Sequence, residues 1–397
     1  MDRPEAGPPG GWAEVLGAFL RLGLTSFGGP VAHLGYFREE FVSRRRWLDE
    51  AAYADLVALC QFLPGPASSQ VGLAIGLSRA GFAGALAAWI GFTLPSAALL
   101  VLFSWGTGLL GPALGAGPLA GLRAAAVAVV ALAVLGMMRS LTPDRARASL
   151  AVAAALVALA LPDTSGQLAA IALGGLAGLA FLRDGAAPGG STLPLTVGRR
   201  TALAALGLFV LLLAGLPLAA QWSGSPALGV AAGFYRTGAL VFGGGHVVLP
   251  LLQAQLVPQG LVPGDAFLAG YGAAQAVPGP LFTFAAYLGA VIGGVPMAAL
   301  CLVAIFLPSF LLVVGTLPFW GRLRARPGAQ AALRGVNAAV VGLLLAALYD
   351  PVWTTGIAGR GDYAIALAAF LLLFLWKAPP WLVVLASAGA GALAGLR

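Results

Sequence analysis

The sequence predicts an all-α polytopic membrane protein. It reads as two inverted-topology repeats with broken or re-entrant helices, giving roughly ten full or partial spans plus re-entrant elements. Three observations predict this. The chain of 397 residues is 60% hydrophobic and only 9% charged, whereas a soluble domain is about 25% charged, so in water it would expose far too much apolar surface. Apolar runs recur at membrane length, as from Trp381 to Leu396, where Ser387 is the polar exception; about 20 such residues cross a bilayer. Finally, the polar and Gly/Pro motifs of the first half return in the second.

The duplication holds its register. Phe19, Arg21, Gly23, Phe27, Gly28 and Gly29 return as Phe234, Arg236, Gly238, Phe242, Gly243 and Gly244. Gln61, Pro64, Gly65 and Pro66 return as Gln275, Pro278, Gly279 and Pro280; Leu94-Pro95-Ser96 returns as Leu307-Pro308-Ser309. Leu122, Arg123, Val129 and Val130 return as Leu333, Arg334, Val340 and Val341. Unrelated apolar stretches would not keep Arg, Gln and Pro-Gly-Pro in step, so an internal repeat frames everything else.

In chain order, residues 1–11 form a polar Pro/Gly tail, expected to be disordered and without the basic start and apolar middle of a signal peptide. Residues 12–182 make the first repeat. Within it, 12–30 run apolar to Phe27-Gly28-Gly29-Pro30, Tyr36 to Glu50 is charged and amphipathic, and 53–77 are cut by Pro64-Gly65-Pro66. Proline removes a backbone donor and clashes with the preceding turn, so the helix must break there. Spans are expected near 82–104, 119–138, 148–162 and 167–182. A linker, 183–200, and a linking transmembrane helix, 201–220, lead to the second repeat, 221–397, with spans near 296–316, 331–349, 362–376 and 380–396.

Charge in the loops sets the orientation. Arg44, Arg45 and Arg46 follow the first Gly-Gly motif, while the equivalent loop 256–265 has no Arg or Lys. After the Leu-Pro-Ser helix the bias swaps: 105–119 is uncharged, and Trp320 to Pro327 carries Arg322, Arg324 and Arg326. By the positive-inside rule, equivalent loops face opposite sides, and the one linking helix is what turns the second copy over. The basic loops 139–147, 183–200 and 321–327 then fall inside. The N-terminus comes out cytoplasmic and the C-terminus external, in a multi-pass protein of the inner (cytoplasmic) membrane. The first two elements of each half have even parity whether they are re-entrant hairpins or two spans.

Several function classes fall away. The net charge of +8 comes from arginines scattered among short loops, not from a basic groove with interleaved aromatics, so nucleic acid is not an expected partner. Cys60 and Cys301 lie in apolar runs and suggest packing. The two histidines offer no metal-ligand spacing, and no metal or other cofactor is expected. The spans hold no paired carboxylates and no nucleophile–His pair, which argues against an enzyme.

The breaks point to an anion. Broken backbone at membrane depth is tolerated where protein or a water-filled cavity satisfies it. In secondary transporters such breaks aim half-helix N-termini, with free N–H groups and a positive dipole end, at the substrate. Ser68, Ser69 and Gln70 follow the first Pro-Gly-Pro and Thr283 the second, while Gln61 and Gln275 precede them. These are neutral donors that can hold an anion and still release it. Arg21 and Arg236 are repeat-paired charges in apolar elements, where an ionisable group is a functional candidate; snorkelling, or pairing with Glu14, is the competing structural role.

The Phe27-Gly28-Gly29-Pro30 segment, the Phe41–Leu48 stretch, Gln61 with Pro64-Gly65-Pro66, and Phe242-Gly243-Gly244-Gly245 with Pro278-Gly279-Pro280 together resemble the chromate ion transporter (CHR) family in its long, two-domain form. The resemblance covers nearly the whole chain. It implies export of chromate by alternating access and hence chromate resistance, with the breaks and the two arginines as the substrate site. Sulfate has the same shape and charge, so a general oxyanion carrier of the same fold is the alternative, with a passive anion channel behind it. The expected partners are the oxyanion, the lipid bilayer and, as an open alternative, a second copy in a homodimer. A dianion leaving a negative interior gains about 4.6 kcal/mol per 100 mV, so export does not require protons, although antiport is compatible with it. Asp55, His33 and His246 are the candidate proton carriers, each with a plain packing or helix-start alternative. Arg44 to Arg46 are expected to fix topology and, secondarily, to attract anions. Arg123 and Arg334, near span ends, are read as topological or snorkelling residues.

Overall fold

The computed structural model describes residues 10–114, 116–161, 164–183, 197–242 and 244–395. Residues 1–9 of the tail, most of the 183–200 linker and Gly243 therefore lie outside the described residues. The protein is an all-α polytopic membrane protein. Six helical stretches among the described residues are long and apolar enough to cross a membrane: Ala67–Thr107, Gly117–Leu141, Thr164–Phe181, Arg199–Ser223, Leu281–Arg324 and Pro327–Gly356.

The first half contains α1 (Trp12–Thr25), α2 (Gly29–Arg38), α3 (Glu50–Phe62), α4 (Ala67–Leu114), α5 (Gly117–Leu141), α6 (Arg145–Ala160) and α7 (Thr164–Phe181). After α8 (Arg199–Ser223) come α9 (Pro226–Leu240), α10 (Val248–Leu256), α11 (Gly264–Ala274), α12 (Phe284–Thr316), α13 (Trp320–Arg324) and α14 (Pro327–Ala347). A single turn, α15 (Thr354–Gly356), precedes the closing pair α16 (Arg360–Phe374) and α17 (Pro380–Gly395). The helices α1, α3, α9 and α11 hold 14, 13, 15 and 11 residues. At 1.5 Å per residue each reaches only about 17–22 Å, short of a ~30 Å hydrocarbon layer. They end at the Phe-Gly-Gly and Pro-Gly-Pro segments, where the sequence demands a break.

The long helices α4 and α12 each turn back on themselves. The turn is made at Ala80 (φ −144°, ψ 30°) and Gly81 (φ 61°, ψ −153°) in α4, and at Gly293 (φ −163°, ψ 32°) and Gly294 (φ 70°, ψ −160°) in α12. Positive φ at the second residue calls for glycine, and the two corners are 213 residues apart. Residues eight apart then touch: a Cβ on Gly76 would lie 2.3 Å from the Gly84 carbonyl oxygen, and one on Gly289 2.5 Å from that of Met297. A straight helix would hold such residues about 12 Å apart. Each corner yields a short leg followed by a long one, and the short helix α1 or α9 packs on the long leg. Glycine makes both crossings close, with Gly23 against Gly91 and Phe92, and Gly238 against Ile305.

The halves interlock further out. α14 packs against α6 and α7, while its counterpart α5 packs against α16 and α17, so each half's inner helix lies in the other half's helix pair. Small residues permit it: Gly174 and Gly178 meet Gly335, and Gly121 meets the Ser387 carbonyl. α8 lies outside, with Leu203, Val210 and Leu211 exposed, the surface a lipid-facing helix needs.

The charged stretch after the first break forms α2 and a π-helical turn, Glu39–Arg44. Glu40 there accepts from Arg44 Nη1 (2.9 Å) and Arg45 Nε (2.7 Å). Burial pushes its carboxyl up, but the two guanidinium bonds outweigh that and hold it below its ordinary value. A folded pKa below the unfolded one (about 4.3) gives stability that is present above the unfolded value and lost as pH falls through the depressed one. Glu40→Gln is therefore expected to flatten the acid limb of the stability–pH profile in detergent. An acid limb identical to the parent's would rule this contribution out.

Candidate functional site

The four breaks meet. The Gly65 N–H donates to the Val241 carbonyl (2.6 Å), and the Gly279 N–H donates to the Ser26 carbonyl (2.9 Å). Ser26 and Val241 hold equivalent places, just before Phe27 and Phe242. Each half's Pro-Gly-Pro is thus hydrogen-bonded to the other half's Phe-Gly-Gly. The serines of the Leu-Pro-Ser motifs follow the same exchange: a Cβ on Gly65 would lie 2.3 Å from Ser309 Oγ, and one on Gly279 2.9 Å from Ser96 Oγ. Gly28, Gly29, Gly65, Gly244 and Gly279 all have positive φ. Those backbones present amides in directions that an ordinary residue would resist.

Side chains lock the breaks in shape. Gln70 Nε2 donates to the Pro64 carbonyl (2.7 Å), and in the second half Thr283 donates through Oγ1 to the Pro280 carbonyl (2.8 Å). His33 is buried between the Ser26 carbonyl (3.2 Å) and Ser68 Oγ (3.3 Å), with its ring edge-on to Phe92. Both its nitrogens are occupied, so His33 ties one break to the next. Around this centre Ser26 Oγ, Ser69 Oγ, Thr93 Oγ1, Ser309 Oγ and Gln275 Nε2 are buried without a hydrogen-bond partner among the described residues. Buried polar atoms are normally satisfied; a cluster of hydroxyls and an amide N–H left open offers donors to an entering acceptor.

Two cavities flank the centre, built from equivalent residues. The smaller, about 160 Å³, is lined by Gly29, Ala274, Gln275, Val277, Gly279 and Leu281, with His246 beside them. The larger, about 600 Å³, is lined by their counterparts Gly244, Cys60, Gln61, Leu63, Gly65 and Ala67, and extends to Trp320 and Arg334. Pro30 touches both. One constellation therefore occurs twice, contracted on one side and expanded on the other. A third cavity, about 630 Å³, lies at the start of α5 and α11 and holds Arg123 and Asp265.

The expected site residues divide accordingly. Gly28, Gly29, Gln275, Gly279 and His246 share the small cavity, and Gln61, Gly65 and Gly244 share the large one. The prolines Pro64, Pro66, Pro278 and Pro280 shape the backbone between them; Phe27 and Phe242 are half-buried alongside. Gly243 lies outside the described residues. His246 offers Nδ1 to the Tyr271 hydroxyl (2.7 Å). Arg21 and Arg236 are not brought to the centre: Arg21 is exposed on the outer face of α1, and Arg236 lies in a separate crevice with Thr164 and Gln255. Asp55 is held in an ion pair with Arg324 and accepts from Trp320 Nε1 (3.1 Å). Arg44 and Arg45 are both bound to Glu40, while Arg46 is exposed.

Sequence reasoning missed Ser26, Ser96, Ser309, Trp320 and Arg334. Three of these, Ser96, Ser309 and Arg334, are repeat-paired, and that pairing was the available signal. Ser26 and Trp320 have no counterpart of their own type, so only the fold finds them.

The profile of the family described as Chromate transporter matches residues 13–179 and 228–392. The chromate transport protein of Pseudomonas aeruginosa is 32% identical over 382 residues, which cover 93% of this chain and 89% of the relative. That of Cupriavidus metallidurans is 28% identical over 332 residues, covering 83% and 80%. An uncharacterized transporter of Methanocaldococcus jannaschii is 28% identical over 372 residues, covering 91% and 88%. No solved structure matches the chain.

Proposed function

This chain belongs to the chromate transporter family, and we propose on that basis that it exports chromate across the cytoplasmic membrane by alternating access. It is a transporter, not an enzyme, as are the family and the relatives named for an activity. The observation that carries the mechanism is the pair of equivalent cavities of unequal size at the crossed helix breaks. If the repeats are inverted, the two cavities face opposite sides, and exchanging their shapes would exchange access. The larger cavity reaches Trp320, next to the basic loop that the positive-inside rule assigns to the cytoplasm. The state described is then open inward. The anion would be held by Gln61 or Gln275, the open hydroxyls and the backbone amides at the breaks. A site of neutral donors reads shape and charge, which suits a tetrahedral dianion that must also be released.

Membrane potential supplies the outward drive. Proton antiport, where it operates, would rest on His246, which meets the small cavity and Tyr271. Because the same donors fit sulfate, a general oxyanion carrier is the second reading.

The test is chromate uptake into everted vesicles from cells expressing the chain, with and without excess sulfate. Saturable uptake that persists against sulfate, and falls about tenfold in both Gln61→Leu and Gln275→Leu, is expected. Uptake abolished by equimolar sulfate would replace chromate export by general oxyanion transport. No uptake by folded, inserted protein would overturn export altogether.

A further inference from the structure

We propose that Arg334 is the charge that recruits the dianion into the larger cavity, at a loading position separate from the helix breaks. The inference rests on the oxyanion reading above and adds a residue that reading did not use. Arg334 lies on α14 and lines the 600 Å³ cavity together with Gln61 and Asn337. Asn337, one turn further along the same helix face, lines the same cavity. It is a polar group on the cavity wall beyond the arginine.

Arg334 combines two features, a place on the wall of this cavity and the lack of a carboxylate partner among the described residues. Arg38, Arg44, Arg45, Arg79, Arg123, Arg147 and Arg324 each pair with a carboxylate. No carboxylate among the described residues pairs with Arg334; its Nε (3.1 Å) and Nη2 both donate to the Leu182 carbonyl. A carbonyl is neutral, so among the described residues the charge of the half-buried guanidinium is not compensated. Two donors on one acceptor also leave the rest of the five-donor fork without a partner among the described residues. The missing negative charge is what a passing dianion supplies. A planar guanidinium meets an oxyanion with two parallel bonds.

The repeat gives a second, independent argument. Arg123, the counterpart of Arg334, lines the 630 Å³ cavity, and its Nη1 lies 3.9 Å from Asp265. The same position on the two equivalent helices thus places an arginine in each of two cavities of about 600 Å³ or more. One has a loosely held carboxylate, and the other has none among the described residues. Snorkelling alone gives no reason for both to line cavities.

Two variants separate charge from scaffold. Arg334→Gln keeps a donor for the Leu182 carbonyl and removes the charge, and Arg334→Lys keeps the charge. In everted vesicles Arg334→Gln is expected to raise the KM for chromate about tenfold while changing maximal flux less than about twofold, with Arg334→Lys within about threefold of the parent. Chromate and sulfate should each raise the thermal unfolding temperature of the purified parent, and do so less in Arg334→Gln. An unchanged KM in Arg334→Gln, or equal losses of flux and stability in both variants without a KM change, would overturn the loading role. If the parent itself carries no chromate, the export reading fails. The unfolding shifts then still decide for or against Arg334: equal shifts in parent and Arg334→Gln, or none in the parent, count against it.

Discussion

Gly65→Ala is expected to abolish chromate flux and to destabilise the protein by about 3–6 kcal/mol. Three costs combine. At φ 124° an L side chain is strained by roughly 1–2 kcal/mol. The new Cβ would lie 2.3 Å from Ser309 Oγ and 2.7 Å from Gln70 Nε2, and overpacking of that kind costs about 1–3 kcal/mol. Gln70 cannot swing aside freely, because its amide holds the Pro64 carbonyl. Any shift of the Gly65 backbone also disturbs its bond to Val241, worth about 1 kcal/mol. The denaturation midpoint in detergent reads the stability loss, and vesicle uptake reads the function. Adding Ser309→Ala removes one clashing atom and should restore part of the stability, but not the share due to φ. Gly279→Ala meets Ser96 Oγ at 2.9 Å, and the Phe92 carbonyl at 3.1 Å, so its loss should be smaller. Gly65→Ala with flux within twofold of the parent would show that the break can move without harm.

The break itself was legible because proline and glycine act through the backbone, which local sequence controls. Pro64-Gly65-Pro66 had to interrupt a helix, and the structure ends α3 at Phe62 and starts α4 at Ala67. The long apolar spans were legible for the same reason. What local sequence could not give was the partner of each break. That Gly65 binds Val241 and Gly279 binds Ser26 is a relation between residues more than 170 positions apart for the first pair and 250 for the second. The repeat announced equivalence, not exchange. The expected boundaries, between 77 and 82 and just before 296, fall at the corners of Gly81 and Gly294, but glycine in an apolar run does not by itself show that the helix reverses there.

Arg21 and Arg236 illustrate a different limit. Their matching positions in the sequence do not say which helix face is inward. On α1 the buried side carries Val15, Ala18, Phe19 and Leu22, and the close crossing at Gly23 fixes that side against α4. Arg21 is thereby turned outward with Leu20 and Leu24. Arg334 is the converse. Its place near a span end suggested a topological role; the loading role proposed for it rests on the cavity beside it and on the lack of a carboxylate partner among the described residues.

Asp55→Asn is expected to cost about 3 kcal/mol, although it alters a single side-chain atom. Asp55 is on α3 of the first half and Arg324 on α13 of the second, with the Asp55 side chain 5% exposed and that of Arg324 17%. Trp320 Nε1 adds a third group to the same carboxylate oxygen. Removing one partner of a buried ion pair costs about 3–5 kcal/mol; the partial exposure of Arg324 places this case at the low end. The double variant Asp55→Asn with Arg324→Gln removes both charges and should recover more than half of the loss. Denaturation midpoints of the parent, both single variants and the double close the cycle. Because Trp320 also lines the larger cavity, the pair joins the halves beside the opening through which the anion would enter. Stability restored in the double variant without flux would make this seam part of the moving apparatus. Equal stability of parent and Asp55→Asn would mean that water, not Asp55, balances Arg324.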